Sequence, residues 1–137
     1  MSAPEGAGPP MYTSPHLVWL ADDDANHTAI IDAGVLPPLV ALLKTSTADA
    51  QDMAAYLLRI LACKNAANKV AIAVAGAIKP LVALVTNGAA GGQERAAEAL
   101  QNLAGNNAAN KVAIAAAGGI APLVALGSSA GVVGHRP

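Results

Sequence analysis

The chain predicts an all-α solenoid, a right-handed α-α superhelix of stacked units, and three observations predict it. Glycine recurs at Gly34, Gly76 and Gly118 and proline at Pro38, Pro80 and Pro122, each 42 residues from the last. A period in the forties marks helical units that bury their apolar faces against their neighbours. Residues 68–85 read NKVAIAVAGAIKPLVALV and residues 110–127 read NKVAIAAAGGIAPLVALG, with four mismatches in eighteen positions; residues 26–43 keep the skeleton as NHTAIIDAGVLPPLVALL. Finally, 54% of the 137 residues are apolar, yet the chain has no Phe, one Trp and two Tyr. The core must therefore come from Ala, Leu, Val and Ile, and alanine both favours helix and lets helices approach closely.

Each unit reads as three helices. In the middle copy a first helix is expected over about residues 67–75, opened by Asn68 as a cap and ended by Gly76, which tolerates the positive φ of a sharp reversal. A second spans about 78–86, with Pro80 in its first turn, where no N–H is needed. Its Leu81, Val82, Leu84 and Val85 form adjoining apolar faces, and Asn87-Gly88 breaks it. The third spans about 93–104. Ala96, Ala99, Leu100 and Leu103 follow the spacing of a buried stripe, while Glu94, Glu98, Gln101 and Asn102 lie opposite.

The first copy repeats this pattern, with Ala54, Leu57, Leu58 and Leu61 inward and Asp52, Tyr56 and Arg59 outward. Ser46 and Asp49 have capping-box spacing ahead of its third helix. Gly88 and Gly91 hold those positions in the second copy, so that helix is expected to begin late, with mobility over residues 88–92.

The domain is expected over residues 16–127, in units of about 26–67, 68–109 and a partial 110–127, between a disordered segment 1–15 and a flexible tail 128–137. HLVWL (16–20) reads as the end of an earlier third helix, with Trp19 in the phase of Leu61 and Leu103, while GSSAGVVGHRP has no helical pattern. Two full units with partial flanks fall short of the three repeats that independent stability needs. Self-association through the open C-terminal end, or origin within a longer array, follows as an expectation.

Composition excludes several functions. A net charge of −1 from eight basic and nine acidic residues argues against a phosphate-tracking nucleic-acid binder. The most apolar run, residues 70–84, is broken by Gly76, Lys79 and Pro80 and falls short of the roughly 20 residues that a membrane-spanning helix needs. Residues 1–15 lack the pattern of a signal peptide, which makes a cytoplasmic or nuclear location the default expectation. Cys63 stands alone, so no intrachain disulfide forms, and it reads as a small buried hydrophobe at a helix end. His16, His27 and His135 lack zinc-ligand spacing, and His27, in the phase of Lys69 and Lys111, is expected to be exposed. Asp22-Asp23-Asp24 reads as a solvated turn. No nucleophile beside a base and no phosphate cradle is found, so no enzyme, metal or cofactor is expected.

With these units in place, the chain resembles the armadillo repeat family over residues of about 16–127, on the segments QERAAEALQNLA (93–104) and NKVAIAAAGGIAPLVAL (110–126). The resemblance implies a concave groove lined by third helices that binds extended peptides or partner proteins. In that family a Trp and an Asn four residues apart line the groove; here the Trp position holds Tyr56 and Glu98, and the Asn position Ile60 and Asn102. A scaffold or adaptor similar to the vacuolar and plant armadillo proteins fits this pattern. A piece of an armadillo-containing ubiquitin ligase or nuclear-transport adaptor is the alternative. Tyr56, Arg59, Ile60, Glu98, Gln101 and Asn102 are the candidate partner-binding residues, with Ile60 either exposed to a partner or shielded by Val18.

Overall fold

The computed structural model describes residues 26–134 except Ser46 and Lys64, with no account of the side chains of Thr45 and of residues 128–134. The expected N-terminal segment, the HLVWL remnant with Val18 and Trp19, Asp22–Asp24, His16, His135 and Ser46 lie outside the described residues. Among the described residues eight helices follow in order: α1 (His27–Asp32), α2 (Leu36–Thr45), α3 (Ala48–Ala62), α4 (Ala66–Val74), α5 (Ile78–Asn87), α6 (Ala90–Ala104), α7 (Ala108–Ala116) and α8 (Ile120–Gly134). No strand occurs among the described residues.

The three-helix unit is the observed one. Gly34, Gly76 and Gly118 have φ of 90°, 87° and 85°, a region in which a Cβ would be strained. The chain bends there by 81° between α4 and α5 and by 94° between α7 and the start of α8. Third helices α3 and α6 share the most extensive contact between elements, followed by α6 against α5. Leu57, Leu58, Leu61, Leu100 and Leu103 are fully or almost fully buried along this seam, as are Ala54, Ala55, Ala96 and Ala99. Each such leucine contributes about 1.5–3 kcal/mol of burial, and the alanines let the helices approach.

Asn68 is not the cap of α4. Asn65 is: its side chain accepts from the Asn68 N–H at 2.9 Å, and Asn107 does the same for Asn110 in α7. The sequence places two asparagines three residues apart in both copies, and only the packing separates their roles. Asn68 lies buried one turn inside and donates to the Leu61 carbonyl at 3.1 Å; Asn110 donates to Leu103 O at 3.0 Å and to Lys69 O at 3.2 Å. Carbonyls in the last turn of a helix lack intrahelical partners, so these amides join each third helix to the next unit.

Several local expectations are corrected. Helix α3 is capped by Thr47, whose hydroxyl accepts from Ala50 N at 3.2 Å, rather than through the Ser46–Asp49 spacing. Helix α6 starts at Ala90 and takes Gly91 and Gly92 into its first turn, instead of beginning late, while Gly88 caps the end of α5. Gly92 is buried where an added Cβ would sit 3.8 Å from Leu84, and Gln93 Nε2 donates to Val85 O at 3.1 Å, anchoring that turn. Tertiary packing here outweighs the glycine penalty of about 1 kcal/mol per residue. Helix α8 continues through GSSAGVVG to Gly134; no proline interrupts this stretch, and extending a formed helix is far easier than nucleating one.

His27 is buried rather than exposed. Its periodic counterpart Lys69 is buried as well, with its ammonium donating to the Gly105 carbonyl at the C-terminus of α6, where a cation also meets the negative end of the helix dipole. Cys63 is a half-exposed free thiol at the C-cap of α3, not a core residue, because the chain leaves the helix there.

Two stability outcomes follow, both read by urea unfolding followed by circular dichroism. Asn68→Ala strands the Leu61 carbonyl and loses about 1–3 kcal/mol, whereas Asn65→Ala removes only a cap and loses about 1 kcal/mol. Gly76→Ala, with open space around its Cβ, loses about 1–2 kcal/mol from backbone strain alone.

Candidate partner-binding face of the third helices

Tyr56, Arg59, Glu98, Gln101 and Asn102 lie on neighbouring turns of α3 and α6 because the 42-residue period sets equivalent turns of the two helices side by side. Salt bridges and a hydrogen bond then cross the seam. Arg59 Nε faces Glu98 Oε1 at 3.3 Å and Arg95 Nε donates to Asp52 Oδ1 at 3.2 Å, while within α6 Arg95 Nη1 lies 3.9 Å from Glu98 Oε1. Asn102 Nδ2 donates to the Arg59 carbonyl at 2.8 Å.

Both guanidinium groups also reach the half-buried Tyr56 ring, Arg59 at 5.1 Å and Arg95 at 4.7 Å from its centroid. Such contacts contribute about 0.5–1 kcal/mol at exposed sites. Arg59 Nε and Glu98 Oε1 are inaccessible atoms that make no hydrogen bond at their 3.3 Å separation, so the pair is electrostatic only. Its side chains keep 33% and 40% of their surface in water, which limits the attraction by solvent screening.

Of the candidates, Tyr56, Arg59, Glu98 and Asn102 form this cluster. Gln101 is exposed beside it, and Ile60 is half-buried and packs against the core. Arg95 and Asp52 complete the network, and neither is among the candidate residues read from the sequence. The signal was available: Arg95 follows Asp52 by one period plus one residue, and side chains on helices in register lean by about that offset. Among the described residues, no three His, Cys, Asp or Glu side chains gather as metal ligands, and no single helix is long and apolar enough to cross a membrane.

A family model, the armadillo/beta-catenin-like repeat, matches residues 23–63 and 65–105, more than half of the chain. The chain belongs to the armadillo/beta-catenin-like repeat family. The matched spans agree with the unit boundaries drawn by the helices, each running from a first helix or its approach to the end of a third. Among solved structures, this armadillo module is similar to the crystal structure of an engineered protein, at 33% identity and a TM-score of 0.76 over 81% of this chain. The module spans 46% of that engineered chain, less than half its length. No curated protein matches the sequence.

A double-mutant cycle on Asp52→Ala and Arg95→Ala is expected to return a coupling below about 1 kcal/mol. Repeating it in about 1 M salt, where the screening length falls to about 3 Å, should nearly abolish the coupling if the interaction is the exposed ion pair seen here.

Proposed function

We propose that the armadillo module is a protein-binding scaffold or adaptor whose contact surface is the α3–α6 face. The coarse part, a helical repeat scaffold, rests on the family and the fold. The finer part rests on one observation, the cluster of Tyr56, Arg59, Arg95, Glu98 and Asn102 gathered along two third helices. Tyrosine and arginine are the residue types that anchor interfaces, since each presents a large contact area with a polar end. Ion pairs and the Asn102 bond hold these side chains in place before a partner arrives, which reduces the entropy lost on binding.

Asn102 stands where the family places its backbone-clamping asparagine. One amide hydrogen is taken up by the Arg59 carbonyl, leaving the second hydrogen and Oδ1 to meet the backbone of an extended segment. The companion position holds Glu98, tied to Arg59. This reading therefore favours a partner that contacts one asparagine and a charged, tyrosine-centred patch over one threaded along a regular ladder.

Selection of displayed peptides on the wild-type module, followed by titration of the enriched sequences, tests the proposal. Tyr56→Ala and Asn102→Ala should each weaken those sequences by about tenfold or more, while Lys79→Ala on the exposed side of α5 should leave them unchanged. Equal affinity for wild type, Tyr56→Ala and Asn102→Ala would remove the α3–α6 face from consideration.

A further inference from the structure

Successive second helices leave a groove between them, and the two such grooves among the described residues differ in charge. The first lies between α2 and α5 and encloses about 570 Å³; the second, between α5 and α8, encloses about 520 Å³. They are built alike. Gln51 Nε2 donates to the Leu43 carbonyl at 3.2 Å at the first, and Gln93 Nε2 to the Val85 carbonyl at 3.1 Å at the second, one period later. Lys44 and Lys79 line the first groove, where the second holds Thr86 and Ala121 in the same phases.

Both lysines are exposed and have no ion-pair or hydrogen-bond partner among the described residues, and no carboxylate among those residues lines the groove. Arg59, Lys69 and Arg95, by contrast, are engaged. Lys79 also stands in the first turn of α5, where a cation opposes the positive end of the helix dipole and neither an acidic residue nor a side-chain cap offsets it. Lys44 ends α2 in the phase of Thr86, seven positions beyond Lys79. With the two helices in register the cations stand about 10 Å apart along the groove, at 1.5 Å per residue. Leu43, Ala83 and Leu84 form an apolar wall between them, flanked by the side-chain amides of Gln51 and Asn87.

We propose that the α2–α5 groove docks an extended acidic segment of a partner protein, with two carboxylates three residues apart. A polyproline II segment has three residues per turn and rises 3.1 Å per residue, so those carboxylates share a face about 9 Å apart, which matches the two lysines. Such a segment makes no internal backbone hydrogen bonds, leaving its N–H and C=O groups for the Gln51 and Asn87 amides; a helix pairs its own. The groove shares no lining residue with the Tyr56 cluster, and the assignment is independent of the function proposed for the α3–α6 face.

The probe is the acetylated, amidated peptide Gly-Glu-Pro-Ala-Glu-Pro-Gly, titrated at low salt into the full chain labelled with nitrogen-15. The amide signals of Lys79, Ala83 and Asn87 should shift saturably. Lys44→Thr and Lys79→Ala, which install the residues found one period later, should each weaken binding about threefold to fivefold. In the variant carrying both, Thr86→Lys with Ala121→Lys should restore binding and move the shifts to Ala125 and Leu126; circular dichroism confirms that each variant is folded. No saturation up to about 10 mM peptide, equal binding of the peptide with Gln in place of both Glu residues, or the same shifts from inorganic phosphate alone overturns the proposal. Phosphatidylserine vesicles that bind the chain through both lysines while the peptide does not bind would overturn it in favour of a membrane surface. Tighter peptide binding after Asp22→Asn, Asp23→Asn and Asp24→Asn together would also overturn it, by making the chain's own acidic run the occupant.

Discussion

Close contact between the third helices is the constraint on which the remainder of this structure depends. Ala54 and Ala55 on α3 and Ala96 and Ala99 on α6 are fully buried, and their small side chains let leucines of both helices interdigitate at the dense packing of a protein interior. A larger residue at any of them would push the helices apart. Separation would also open the Arg59–Glu98 and Arg95–Asp52 pairs and withdraw the Asn102 amide from the Arg59 carbonyl. The proposed contact face is in this sense a by-product of the packing beneath it.

The joints between units are polar, and they keep the stack in register. Apolar stripes made of Ala, Leu, Val and Ile are alike from turn to turn, so burial alone discriminates weakly against a slipped arrangement. Asn68 and Asn110 add a directional requirement, because each must reach the unpaired carbonyl at the end of the preceding third helix. Within its own unit, Lys69 adds a similar requirement at the Gly105 carbonyl that ends α6. An unpaired buried carbonyl costs more than the bond contributes when made, so these contacts act mainly by excluding other registers.

The repetition also explains where the module has unused surface. Every interior position has a counterpart whose surroundings can be compared directly, and Ile78 against Ile120 shows the difference between 7% and 62% exposure for the same residue in the same phase. Charges follow the same rule. Asp52 and Lys69 are engaged, while Glu94 and Lys111 keep the equivalent groups without a partner among the described residues. In a solenoid, an unmatched residue of a repeating pair identifies a contact that a further helix would make.

Sequence by itself determined the helical class, the 42-residue unit, the three reversals at glycine and the inward stripes, because these depend on local backbone conformation and on periodicity, both written in the order of residues. It also placed Tyr56, Arg59, Glu98 and Asn102 on one face. Only the tertiary structure decided which asparagine caps and which one bridges, that His27 and Lys69 are buried, that α6 accepts two glycines in its first turn, and that Arg95 joins the site. Each of those outcomes is set by a neighbour about 40 residues away or by the end of another helix, and the free energy of such contacts has no counterpart in local sequence.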